Sequence, residues 1–161
     1  QLCGRGALMA YWLMKSEPSV YSIDDLERDG STDWTGVRNY QVRNMMRDDM
    51  RRGDHGLFYH SSCEVPGVYG TVEIVREGYP DPSAFDPRHR HHDAASDPEA
   101  PRWYAVDVKL TRRFAQPVTL EALRLHAGDA LKDLLVLRRG NRLSITPLSA
   151  AQYRFILSMA G

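Results

Sequence analysis

Apolar and polar positions along the 161-residue chain change period several times, and each change predicts an element. "YWLMKS", Tyr11 to Ser16, is apolar at successive positions and aromatic-rich, so it reads as a strand buried on both faces, ended by Pro18. "SIDD" at Ser22 has the spacing of a capping box, and Gly30 stops the short helix that comes next. From Gln41 to Met50, Val42, Met45, Met46 and Met50 recur at helical spacing. "RRGDHGLFYH" predicts a turn at Gly53-Asp54 feeding a strand that ends at His60. "GVYGTVEIVRE" alternates, which places Val68, Gly70, Val72 and Ile74 on one face.

Tyr79 to Pro101 breaks the pattern. It holds five prolines, four aspartates and three histidines, and is expected to form one long loop. "RWYAVDVKL" returns to alternation, with Tyr104, Val106, Val108 and Leu110 inward. Thr119 opens a short helix closed by Gly128, and "NRLSIT" predicts a short strand. Ser149 and Gln152 form a second capping box before an apolar stripe of Tyr153, Ile156, Leu157 and Ala160. No strand–helix alternation repeats, so an α+β domain is expected: a small mixed β-barrel of five or six strands flanked by helices.

Length fits one domain, residues 9–161, with residues 1–8 an N-terminal extension, either an expression remnant or a misread start before Met9. Lysine plus arginine equals aspartate plus glutamate at 21 each, which argues against strong non-specific DNA binding but permits a local basic patch. Two cysteines, Cys3 and Cys63, make no disulfide framework, so a reducing cytoplasm is the expected setting.

Candidate chemistry is sparse. "RHRHHD", Arg88 to Asp93, suggests a metal, but adjacent His91 and His92 point apart in an extended loop and no distant ligand pair completes a set. A solvated loop is the expectation, with no metal and no cofactor. Cys63 with His60 lacks a third orienting group, and there is no nucleophile elbow, phosphate loop or carboxylate pair, so no catalytic residue is assigned. Arg43, Arg47 and Arg51 lie four apart on one helix face, opposite the methionines; they make either a solvated face or a phosphate-contacting stripe that Arg138, Arg139 and Arg142 extend.

"DWTGVRNYQVRN", Asp33 to Asn44, concentrates a tryptophan with polar groups. Trp34, expected in a loop, either plugs the core or forms a stacking wall for a flat heterocycle. In the second case Asn39 reads the ligand edge, and Ser16, Tyr59 and Ser61, at strand ends, converge on the same mouth.

"YWLMKSEPSVYSIDDL", "DWTGVRNYQVRN", "GLFYHSS", "PGVYGTVEIVREGYPDPSAFDP", "PRWYAVDVKL" and "RLSITPLS" together resemble the EVE domain family, over nearly all of Met9 to Ala160. The family has bacterial stand-alone and eukaryotic members. The resemblance implies a PUA-like barrel related to PUA, ASCH and YTH domains, and binding of a modified base, modified cytosine in DNA among the candidates. A weaker similarity of "LMKS" and the tryptophan loop to YTH pocket segments makes Lys15, Ser16, Trp34 and Asn39 pocket residues. The combined expectation is a monomeric, non-enzymatic module that flips a modified DNA or RNA base into a pocket of Lys15, Ser16, Trp34, Asn39, Tyr59 and Ser61. Arg43, Arg47 and Arg142 hold phosphates. Two rival classes are a small-molecule or nucleotide sensor, and an enzyme on a modified nucleotide with His60 as general base.

Overall fold

The computed structural model describes residues 9–161; Cys3 and the expected N-terminal extension lie outside the described residues. Among the described residues, six strands form one mixed sheet: β1 Tyr11–Ser16, β2 Ser31–Trp34, β3 His55–His60, β4 Gly67–Pro80, β5 Tyr104–Thr119 and β6 Ile145–Leu148. Four helices accompany it there: α1 Ile23–Asp29, α2 Tyr40–Asp48, α3 Leu120–Arg124 and α4 Ala150–Met159. The strand order is β2-β5-β4-β3-β1-β6. Of these strand pairs, β1–β3 is parallel and the others are antiparallel.

The α+β class and the strand number are as expected; closure is not. The sheet is open, with β2 and β6 as its edges, so the barrel expectation is corrected to a curved sheet. Four register shifts between β4 and β5 supply the curvature, since each bulge bends and twists its strand. Closure fails for a local reason. Both edge strands have four residues, and β6 carries Pro147, which has no N–H to donate to a further ladder.

Both faces of the sheet are covered. On one, Trp12, Met14, Phe58, Val72, Ile74, Val106 and Val108 pack against Ile23 and Leu26 of α1 and Val42 and Met46 of α2. On the other, Leu13, Leu57, Tyr59, Val68, Phe114 and Val118 pack against Leu123, Leu131, Leu134, Tyr153 and Ile156. Helix α2 therefore docks through the predicted residues, with Met45 partly buried beside them. Val68 and Val72 share parity in β4 yet face opposite cores, because the register slips between them. Both predicted capping boxes form, Ser22 with Asp25 and Ser149 with Gln152.

Buried Asp54 fixes the turn into β3 to the start of β1. Its carboxylate accepts from the Trp12 indole (3.0 Å), the Arg51 amide (2.9 Å) and the Ala10 amide (3.2 Å). A carboxylate out of water is tolerated only with such donors. Asp54→Ala is expected to cost about 1–3 kcal/mol for each donor left buried without a partner. The urea midpoint should fall at unchanged slope, and Asp54→Asn should recover part of it. An unmoved midpoint in the alanine variant would show that these bonds contribute nothing.

Candidate functional site

Because the sheet is curved but open, its two edges border one gap. Thr32, Asp33 and Trp34 of β2 form one side; Lys15 and Ser16 at the end of β1, with Ser144 just before β6, form the other. The gap is a cleft of 560 Å³, within the usual range for a ligand pocket. Glu17, Val20 and Tyr21 continue the β1 side, Thr35 to Arg38 continue the β2 side, and His89, Arg90 and His91 reach in from the long loop.

Trp34 ends edge strand β2 rather than sitting in a loop, its backbone paired with Val106. It is 9% exposed, belongs to the core against α1 and α2, and meets Phe58 edge-on at 5.8 Å and 86°. It also lines the cleft. Plug and wall are thus one residue: its inner part is core, and its remaining surface is cleft.

The segment after Trp34 is braced. Gly36 has φ +83°, in the left-handed region that favours glycine, and a Cβ there would lie 2.6 Å from Cδ2 of His91. Its N–H donates to Asp81 Oδ2 (2.8 Å), and Arg38 Nη1 donates to the same oxygen (3.0 Å). The other oxygen of Asp81 accepts from the Ser83 amide (2.8 Å) and hydroxyl (2.7 Å). Burial pushes this carboxyl up, but the bonds from Ser83, Gly36 and Arg38 outweigh it and hold it below the ordinary range. The stability it contributes is present above the unfolded carboxylate pKa and lost as pH falls through the lowered folded value.

Arg38 also donates to the His91 carbonyl through Nε and Nη2, and its guanidinium lies 5.4 Å from the Trp103 ring centre. Trp103 stacks on Tyr40 (4.8 Å, 27°), and Arg43 caps Tyr40 at 4.9 Å while donating to the Arg102 carbonyl (2.6 Å). The polar residues of Arg38 to Arg43 thus form a brace between α2 and the long loop.

Of the expected pocket residues, Lys15, Ser16 and Trp34 meet in the cleft, and three do not. Asn39 is exposed and caps α2, its Oδ1 accepting from the Val42 amide (3.0 Å). Tyr59 is 3% exposed in the opposite core, because strand alternation turns it away from the face of Phe58 and Trp34. Ser61 comes directly after β3 and donates its backbone N–H to the Ser16 carbonyl, outside the cleft lining. His60 is also elsewhere: buried, stacked on Tyr69 at 3.9 Å, and accepting the Ile23 amide on Nε2 (3.0 Å).

The expected phosphate residues are spread out. Arg43 is held in the brace, Arg47 is exposed and paired with Asp48 at 2.8 Å, and Arg142 is exposed two residues before Ser144. The His-rich loop is largely exposed, as expected, and it also borders one end of the cleft with His89, Arg90 and His91. No group of three or more metal-ligating side chains occurs among the described residues.

Within the cleft, burial lowers the Lys15 pKa. The Ser16 hydroxyl donates to the Tyr21 carbonyl (2.6 Å), which leaves its oxygen as an acceptor. The walls therefore present an aromatic surface, an ammonium donor and hydroxyl and carboxylate acceptors.

The profile of the EVE domain matches residues 10–159. Human thymocyte nuclear protein 1 is 38% identical over 94% of this chain and 74% of its own length. A solved structure from Pseudomonas syringae superposes with TM-score 0.88 at 44% identity, covering 94% of this chain and 99% of that one. Human thymocyte nuclear protein 1 in complex with 5-methylcytosine-containing DNA superposes with TM-score 0.87 at 38% identity, covering 94% and 97%. A YTH domain from Zygosaccharomyces rouxii shares the fold alone, with TM-score 0.53 at 13% identity over 94% of this chain and 86% of that one. With the profile spanning both edges of the open seam and everything between them, the chain belongs to the EVE domain family.

Proposed function

We propose that this protein is a non-enzymatic reader of a modified base, taking one nucleotide flipped out of a DNA or RNA strand into the seam cleft. The observation that carries the reading is Trp34, backed by Phe58, lining the cleft together with Lys15 and Ser16. The human relative crystallised with 5-methylcytosine DNA supports the ligand class. The hydrogen-bonding groups suit a base with an exocyclic amine, cytosine among them. The Ser16 oxygen accepts from an exocyclic amine, and the Lys15 ammonium donates to a ring nitrogen or carbonyl. Phosphates of the strand lie against Arg43, Arg47 and Arg142. Action as a monomer is part of this reading. Cytoplasmic placement belongs to the same reading, resting on the free thiol of Cys63; no helix among the described residues is long and apolar enough to cross a membrane.

Trp34→Ala tests the reading, and its two consequences must be separated. Removing a side chain that is mostly core should cost about 3–5 kcal/mol of stability, and loss of the stacking wall should cost about 1–3 kcal/mol of binding. Trp34→Phe, which keeps an aromatic core contact, should show the milder form of both. Binding is measured on the folded fraction with an oligonucleotide carrying one 5-methylcytosine. Unchanged affinity in both variants would sink the proposal.

Replacing Arg43 and Arg47 with alanine should weaken binding to modified and unmodified strands alike. The slope of log affinity against log salt should fall by about one for each phosphate no longer neutralised. A slope equal to that of the parent protein would assign both arginines to the brace and the solvated face. The free nucleoside 5-methyl-2′-deoxycytidine should bind more weakly than the oligonucleotide; equal affinity would favour a small-molecule sensor.

A further inference from the structure

The charges at the cleft nearly offset one another once the buried Asp81 behind Arg38 is counted. Lys15, Arg38 and Arg90 supply three positive groups. Glu17 and Asp33 supply two negative ones, and Asp81, bonded to Arg38, supplies the third. His89 and His91 stand in the same lining, and histidine is the side-chain type that gains a charge near neutral pH. Tyr21, also in the lining, is directed to Asp29 through its hydroxyl (2.8 Å). Protonated imidazoles there would add to the positive charge at the mouth of the cleft.

Their geometry suits that role. The rings lie 5.4 Å apart, and the Nδ1 of His89 accepts the His91 amide (3.0 Å), which puts the proton of neutral His89 on Nε2. Protonating His89 converts Nδ1 into a donor, breaks that bond and presents N–H groups to an anion. The segment is held in place from both sides. Arg38 binds the His91 carbonyl, and the His91 ring packs on Gly36. Downstream, Asp93 accepts from the Trp103 indole (2.7 Å), the Ser96 hydroxyl (2.9 Å) and the Ala95 amide (3.1 Å), with Arg102 at 3.6 Å. Upstream, Asp86 accepts the Arg88 amide (2.9 Å). The loop is thus a fixed wall, and its charge is the variable.

We infer that His89 and His91 form a proton-dependent phosphate contact at the mouth of the cleft, so that a nucleic-acid strand binds with uptake of protons. The inference rests on the strand-binding reading above and adds to it the element that recognises the phosphate flanking the flipped base. The His91 environment agrees. Burial, then Arg90, Arg38 and His89, hold it toward the neutral form, and Asp81 opposes them. A bound phosphate removes the imbalance by stabilising the imidazolium.

The test is the affinity of an oligonucleotide with one 5-methylcytosine, measured at constant ionic strength from about pH 8 to about pH 5.5, the range of histidine titration. Affinity should rise as pH falls, by up to about tenfold per pH unit for one proton taken up. His89→Gln with His91→Gln should flatten the profile, whatever the change in affinity at the alkaline end. His89→Gln alone should remove part of the slope; its exposed ring makes few contacts, so it remains informative if the His91 change disturbs packing on Gly36. The uncharged nucleoside 5-methyl-2′-deoxycytidine should show no comparable slope. Strand binding with a flat profile, or a slope retained in the double variant, overturns this inference and leaves the base-reading proposal standing. Absence of strand binding at every pH overturns both.

Discussion

A buried carboxylate governs the site. Asp81 has no exposed surface, and its charge is tolerated because four donors from two separate segments converge on it. Two come from the connection between β2 and α2, and two from the turn that starts the long loop. The bond is therefore a splice. It fixes the backbone just after Trp34 to the backbone that carries His89 to His91. Gly36 is required at the splice for two reasons at once, the sign of its φ and the His91 ring against its Cα. Without this junction the loop has almost no apolar residue to hold it over the cleft.

The second constraint is the sheet that does not close. A curved sheet with unpaired edges invites pairing with another strand. Here the edges are four residues long, one with exposed Ser31 and Asp33, the other with exposed Pro147. These features discourage strand addition. They also keep the seam open, so that polar side chains and an indole border the gap instead of a sixth ladder.

Much of the fold is legible in the sequence because its signals are local and periodic. The strand at Tyr11, the two capping boxes, the α2 stripe and the alternation around Val106 all depend on nearest neighbours. β2 is not legible, since "STDW" offers no alternation: its burial comes from β5 and from Phe58, both remote in sequence. At the site, the resemblance and the local chemistry point to Lys15, Ser16 and Trp34, which the structure brings to one cleft. Asn39 lies outside the cleft because an Asn three residues before Val42 at a helix start is a capping signal, and the same polar groups that cap a helix can also read a ligand. Tyr59 lies outside it through parity: alternation separates it from Phe58, but the sequence does not say which face the cleft occupies. The histidines give no local sign of their place, because docking of a proline-rich loop depends on Asp81 and Arg38, and no short-range pattern encodes a contact spanning 43 residues.

The double role of Trp34 arises from these constraints together. An indole at the end of an edge strand has core on one side and seam on the other. Burying it almost completely, with Phe58 edge-on behind it, removes most of its freedom before any ligand arrives. A rigid aromatic wall loses little conformational entropy on binding, so on the proposed reading the core contact that makes Trp34 look structural is also what would suit it to a flat base. The adjacent polar groups are fixed in the same way. The Ser16 hydroxyl is oriented by the Tyr21 carbonyl, and Arg38 is held by Asp81 and His91. On the proposed reading, recognition in this cleft depends on groups whose geometry is set by folding, and the charge of the histidine wall is the part inferred to respond to the solution.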